Sequence, residues 1–116
     1  MEQVLLLAPF ALATTASGGS LGVVRSEALW RALLEECVNE ACAVAVAEGA
    51  KVAPDPILAA LEGAPDGFRS SMQKDVAAGR PRELDAIAGP ILRGSREHGI
   101  DVLATRALVD RIATLE

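Results

Sequence analysis

Whatever core this chain builds, it must build almost without aromatic rings. Phe10, Phe68 and Trp30 are the whole complement, there is no tyrosine, and aromatics make up 3% of the sequence. Yet 51% of the 116 residues are apolar. The interior therefore falls to Ala, Leu, Val and Ile, small or unbranched enough to pack closely, and that vocabulary favours helices over a β-sandwich with its aromatic and β-branched pairs. All-α is the fold class this implies, as one compact unit with material for a single core. A dinucleotide-dependent enzyme needs a βαβ domain of about a hundred residues besides a substrate domain, and this length holds only one of the two. Eleven basic against sixteen acidic residues leave a net charge of −5, which argues against nucleic acid or an anionic membrane as partner.

Residues 2 to 17 read as an apolar helix with Pro9 near its middle, stopped by Ser17-Gly18-Gly19-Ser20. A helix apolar on all sides has to be enclosed. Ala11-Leu12-Ala13 resembles a small-residue cleavage site. However, Met1-Glu2-Gln3 lacks the basic start of a signal peptide, and an apolar run broken by Pro9 is too short to span a bilayer. The clearest element begins at Ser26, a candidate N-cap, with Glu27 in its first turn, and runs to Gly49. Its polar side carries Arg31, Glu35, Glu36, Asn39, Glu40 and Glu48, a solvated face on which Arg31 and Glu35 form an i,i+4 pair.

Asp55-Pro56 reads as an N-cap followed by proline in the first turn, opening a short helix through Leu61 that fails at Gly63-Ala64-Pro65-Asp66-Gly67. A helix over about 69 to 78 follows, then the connector Arg80-Pro81-Arg82. Leu84, Ile87, Ile91 and Leu92 give helical spacing between Glu83 and His98, where Gly89-Pro90 invites a kink. Ala104, Leu108, Ile112 and Leu115 mark the last helix. The coarse expectation is six helices on short loops.

Cys37 and Cys42 stand about 140° apart around a helix axis, so they point away from each other and read as two buried structural thiols of a reducing, cytoplasmic setting. With no C-x-x-C and His98 as the sole imidazole, zinc lacks its usual ligands and no metal is expected. His98 reads as a residue near a helix C-terminus that favours the dipole. The glycine clusters at 18–22 and 63–67 match no dinucleotide or P-loop pattern and read as helix breakers. What remains is a pair of segments, Arg69-Ser70-Ser71-Met72-Gln73-Lys74-Asp75 and Gly79-Arg80-Pro81-Arg82-Glu83-Leu84-Asp85. A turn between two helices would bring a hydroxyl of Ser70 or Ser71 near the Glu83 carboxylate. The first can donate to a substrate's carboxylate or hydroxyl, and the second can orient a hydroxyl or an ammonium. The same residue types also serve as ordinary helix caps.

Together, Ser70-Ser71-Met72-Gln73, Asp75, Gly79-Arg80-Pro81, Glu83-Leu84-Asp85, Gly89 and Arg96-Glu97-His98-Gly99-Ile100 resemble the C-terminal domain of ketopantoate reductase (2-dehydropantoate 2-reductase). Ala8-Pro9-Phe10 and Leu21-Gly22-Val23-Val24-Arg25-Ser26 are similar to the opening of that domain, so the resemblance covers nearly all of residues 1–116. It implies a compact multi-helix domain like the C-terminal domain of 6-phosphogluconate-dehydrogenase-like enzymes. In that family NADPH sits on an N-terminal Rossmann domain and reduces ketopantoate to pantoate. By resemblance Ser71, with Ser70 beside it, binds substrate, and Glu83 is the catalytic-site carboxylate.

Departures from the family pattern fall on the same site. The family's proton-donating lysine falls on Gln3, and its asparagines fall on Leu7, Ala11, Phe68 and Ala88. Two functions are open on this reading. One is the substrate-binding and dimerisation domain of a ketopantoate-reductase-like NADPH-dependent oxidoreductase, inactive alone and needing a Rossmann domain in cis or in trans. The other is a non-catalytic stand-alone helical module that homodimerises or binds a small keto or hydroxy acid.

Overall fold

In the computed structural model, which describes residues 2–65, 67 and 84–114, with side chains from 8 and from 87 onward in the two longer stretches, every regular element is a helix. In chain order these are α1 (Glu2–Ser17), α2 (Leu21–Ser26), α3 (Ala28–Ala47), α4 (Pro54–Gly63), α5 (Leu84–His98) and α6 (Leu103–Ala113). The all-α expectation holds. The expected helix over 69–78 lies outside the described residues. No described helix is long and apolar enough to cross a membrane.

α1 is the hub and packs against each of the other five described helices. Every side chain from Ala8 to Ala16 is buried, so the run without a polar face is enclosed, as its composition requires. Thr14 enters this interior at low cost, because it returns its hydroxyl to Phe10 O at 2.8 Å within the helix. Around α1 the core is closed by Leu21 and Val24 of α2, Leu34, Cys37, Val38 and Ala41 of α3, Ile91 of α5, and Leu108 and Ile112 of α6. α5 lies close against α3 because Gly94 has no side chain, and a Cβ there would collide with Val44 Cγ1.

Three helices stop on glycines in the left-handed region: Gly18 (φ 74°), Gly49 (φ 100°) and Gly99 (φ 66°). At the last two, Ala50 N–H donates to Ala45 O at 2.9 Å and Ile100 N–H to Ser95 O at 3.0 Å, closing the final turns in the Schellman manner. Helix starts depart from expectation. Ser26 is not the cap of α3 but the last residue of α2, its hydroxyl turned back to Gly22 O at 2.6 Å. α3 is capped by Glu27 without a side-chain bond. α4 begins two residues earlier than read, at Pro54 after the N-cap Ala53, so Asp55 sits inside the first turn. α5 continues through Pro90, whose ring is exposed on its outer side.

Candidate functional site

Ser70, Ser71 and Glu83, the residues on which a substrate site was expected, lie outside the described residues, as does Phe68. The other positions at which the chain departs from the family pattern are described at least in their backbone. Gln3, Leu7 and Ala11 follow one another along α1, and of these Ala11 is described to its side chain, 5% exposed. Ala88, in the second turn of α5, is 1% exposed. Both alanines belong to the same apolar core. At these two positions the chain presents methyl groups packed among hydrocarbon, with no hydrogen-bonding group to offer a ligand.

The end of α4 is held by a cation from a distant element. α4 ends at Gly63 with no left-handed residue, and its last carbonyls face Arg25 of α2. One terminal guanidinium nitrogen, Nη1, donates to Leu61 O at 2.8 Å, Glu62 O at 2.7 Å and Ala64 O at 2.9 Å. Positive charge at a helix C-terminus is favoured by the dipole as well as by the orphan carbonyls. Arg31 of α3 backs this clamp. Its guanidinium pairs with the Glu62 carboxylate, reaches Glu35 at 3.3 Å as the i,i+4 spacing predicted, and donates to Arg25 O at 3.4 Å. Arg25, Arg31, Leu34, Glu35, Leu58, Leu61 and Glu62 line a shallow recess here.

A second polar constellation is buried between α3 and α6, and it corrects the reading of Glu40 as part of a solvated face. Glu40 is 6% exposed, and its carboxylate caps α6 from outside. Oε2 accepts Ala104 N–H at 2.8 Å, while Oε1 accepts Thr105 N–H at 2.8 Å and the Thr105 hydroxyl at 2.7 Å. Cys37 Sγ lies 3.3 Å from the same hydroxyl. Burial pushes the Cys37 thiol up to about 12. The Thr105 hydrogen bond opposes that shift and the Glu40 charge adds to it. Burial likewise raises Cys42. Both cysteines are buried and unpaired, as expected. A thiol held protonated is a poor nucleophile, so this cluster is architectural. A signal for Glu40 was present in the sequence: it falls three residues after Cys37 and four before Val44, on the stripe that faces the core.

His98 ends α5, as expected, with Nε2 3.8 Å from Glu48 Oε2. Glu97 joins them to bring three donor atoms within 4.8 Å of one another at the exposed surface. Sequence spacing had pointed to none of these long-range pairings, because each joins segments far apart in the chain.

Comparison with known proteins places this frame. The family described as ketopantoate reductase PanE/ApbA C terminal matches residues 1–116. The 2-dehydropantoate 2-reductase of Caulobacter vibrioides is 42% identical over 82 residues, which are 68% of this chain and 27% of that protein. The corresponding Mycobacterium tuberculosis protein is 38% identical over 85 residues, 71% of this chain and 29% of its own length. The chain thus spans under a third of these relatives. Among solved structures, a dimeric ketopantoate reductase from Staphylococcus aureus superposes with a TM-score of 0.87 at 25% identity, over 97% of this chain and 40% of that one. D-mandelate dehydrogenase shares the fold at 18% identity, with a TM-score of 0.86 over 97% of this chain and 65% of that one. The chain belongs to the ketopantoate reductase family, as its C-terminal helical domain.

Proposed function

We propose that this chain is the substrate-binding and dimerisation half of a ketopantoate-reductase-like oxidoreductase, one that converts 2-dehydropantoate to pantoate with NADPH and has no turnover by itself. The observation that carries the reading is the family match over residues 1–116 of a chain that spans only 27% of the Caulobacter relative. The described residues do not fit a dinucleotide: Gly18 and Gly19 lie between α1 and α2 and Gly22 lies inside α2, with a helix and not a strand ahead of them to aim a phosphate-binding turn. The hydride donor is therefore assigned to a Rossmann domain, joined in cis or supplied in trans. The chain's own part is to hold the acid. Ser71, with Ser70 beside it, donates to the substrate's carboxylate or hydroxyl, and Glu83 orients a substrate hydroxyl. Gln3 stands where the family's lysine falls, and a neutral amide cannot deliver an ammonium proton to a developing alkoxide, a role worth about 10²- to 10⁴-fold. Turnover with a Rossmann partner is accordingly slow.

The test is NADPH consumption with 2-dehydropantoate, measured for the chain alone and after mixing with a Rossmann-only protein encoded beside it. No rate alone and a rate on mixing, abolished by Glu83→Gln, is the expected result. Absence of any rate with every such partner refutes the reading.

The burial of Ala11 and Ala88 in the apolar core favours a second reading, a non-catalytic helical module that pairs with a second copy or binds a small organic acid. It predicts a dimer in light scattering or a thermal shift with small keto and hydroxy acids, neither altered by Glu83→Gln. A monodisperse monomer without such a shift excludes it.

A further inference from the structure

We propose that Glu48, Glu97 and His98 form a binding site for a divalent transition-metal ion of the zinc class, and that the ion ties the end of α3 to the end of α5. Glu48 is the C-cap of α3, and Glu97 and His98 are the last two residues of α5. All three side chains are exposed, and one ligand atom from each lies within 4.8 Å of the other two. His98 Nε2 and Glu48 Oε2 stand 3.8 Å apart, too far for a hydrogen bond. Around a tetrahedral ion with bonds of about 2.0–2.2 Å, donor atoms are about 3.4 Å from one another, so small rotations of exposed side chains close the site.

The setting of these donors is negative. Two helices end here, and each C-terminus adds about half a unit of negative charge to the two carboxylates. Among the described residues Glu97 makes no ion pair, and His98 is the only cationic group near Glu48. Lys51 and Arg96, the cations nearest in sequence, pair with neither carboxylate. A doubly charged ion offsets this charge and takes a lone pair from each ligand. The backbone already holds the ligands in place. Glu48 N–H is shared between Val44 O and Ala45 O at 3.1 Å each, and the turn after His98 closes through Ile100 N–H on Ser95 O at 3.0 Å. Glu48 Oε2 stands 3.6 Å from where a Cβ at Gly94 would lie, one turn before His98, so this carboxylate leans across α5 toward the imidazole. An imidazole nitrogen with carboxylate oxygens suits zinc and its neighbours, whereas calcium and magnesium take six or more oxygens. No sequence motif announces the set, because Glu48 comes from a different helix.

His98 is the only histidine of the chain, so its ring signals report this site alone. Zinc is titrated into the intact, untagged wild-type chain and into His98→Ala, Glu48→Gln, Glu97→Gln and the surface control Glu36→Gln, followed by imidazole NMR, calorimetry and melting curves. Circular dichroism without metal checks that the exposed substitutions leave the fold intact. The expected result is saturable binding of one ion per chain that shifts the His98 ring, while magnesium and calcium leave it unmoved. The melting temperature should rise with zinc, because the bridged helix ends exist only in the folded chain. Each ligand substitution should weaken binding by about tenfold or more, at least the loss produced by removing an outer-shell partner of a metal ligand, and Glu36→Gln should match wild type. A His98 ring that zinc does not shift overturns the proposal. So does zinc affinity within twofold of wild type in any of the three ligand variants, which means adventitious capture by a lone imidazole or by the thiols. A melting temperature unchanged by zinc means that the unfolded chain binds the ion equally well, and overturns the tie between the helices.

Discussion

Replacing Glu40 by glutamine isolates how much of this fold depends on one carboxylate. The two oxygens divide the start of α6 between them, Oε2 taking Ala104 N–H at 2.8 Å and Oε1 taking Thr105 N–H at 2.8 Å and its hydroxyl at 2.7 Å. Glutamine keeps one acceptor and turns an NH₂ group toward a donor, so at least one buried N–H loses its partner. Hydrogen bonds to a charged group contribute about 1.5–3 kcal/mol, and an orphaned buried donor costs about 1–3 kcal/mol. Carboxylate charge at a helix N-terminus adds up to about 2 kcal/mol in partly buried geometries. These contributions overlap, and Glu40→Gln is expected to cost about 3 kcal/mol. That is a fifth or more of the roughly 5–15 kcal/mol that holds a domain folded. At this size the melting temperature should fall by about 10 °C. Urea denaturation followed by circular dichroism measures the loss, with the denaturant slope unchanged. A double-mutant cycle with Thr105→Val should return a coupling of about 1 kcal/mol, because the hydroxyl and the carboxylate are direct partners. A Glu40→Gln loss below about 0.5 kcal/mol, within the range of ordinary surface substitutions, would refute the argument that α6 is capped from α3.

Gly94→Ala drives a methyl into Val44 Cγ1 at the α3–α5 contact and should cost about 1–3 kcal/mol by overpacking, against the gain expected from alanine in a helix. A melting temperature equal to or above wild type would show that the two helices are not pinned there. Cys37 gives a pH dependence whose sign follows from its raised pKa. The unfolded thiol ionises from 9.0 and the folded one only near 12. Between those values the unfolded chain binds fewer protons, so stability is fully present below pH 9 and declines by about 1.4 kcal/mol per unit above it. Urea midpoints at pH 8 and 10 should differ accordingly, with Cys42 contributing in the same direction, and Cys37→Ala should flatten the slope. A thiol reagent should label Cys37 only as fast as the structure opens.

The fold was legible where its causes are local. α1 and α3 announce themselves by apolar runs that end on glycines, and Gly18 and Gly49 take the left-handed conformation those endings require. α2 was missed because six residues hold a single turn and a half, whose only trace in the sequence is the pair Leu21 and Val24. Helix starts were misplaced for a different reason. Ser26 and Asp55 were read as caps on the premise that caps are local, but no side-chain cap bond forms at the first residues of α2, α3, α4 or α6. For α6 the cap arrives from Glu40, sixty-odd residues earlier in the chain. Arg25 is the same case at a helix end, with 36 to 39 residues between donor and acceptors. Nothing in local spacing distinguishes such an arginine from a solvated one. The polar sites divide along the same line: Ser71 and Glu83 came from resemblance to a family and lie outside the described residues, while the Arg25 and Glu40 clusters emerged only with the tertiary contacts.

Some of the motifs shared with the family hold up the architecture. Arg96-Glu97-His98-Gly99-Ile100 is the stop of α5, built from Gly99 at φ 66°, Ile100 N–H on Ser95 O, and the Ser95 hydroxyl on Ile100 O. Leu21-Gly22-Val23-Val24-Arg25-Ser26 supplies two core residues and the α4 clamp. Any descendant that keeps this fold keeps such residues, whether or not it keeps the chemistry. The positions that discriminate are those where the family's polar residues give way to apolar ones, and Ala11 of α1 is one described to its side chain. If its environment is permanently closed core, Ala11→Asn buries an amide among hydrocarbon and should cost about 1–3 kcal/mol for unpartnered polar groups. If that wall of α1 instead opens into a cleft when a Rossmann domain docks, asparagine should be nearly neutral in the complex and should raise turnover. Melting curves of Ala11→Asn with and without the partner domain separate the two. A large penalty that persists in the complex would mean that position 11 has been lost to the site and absorbed into the core.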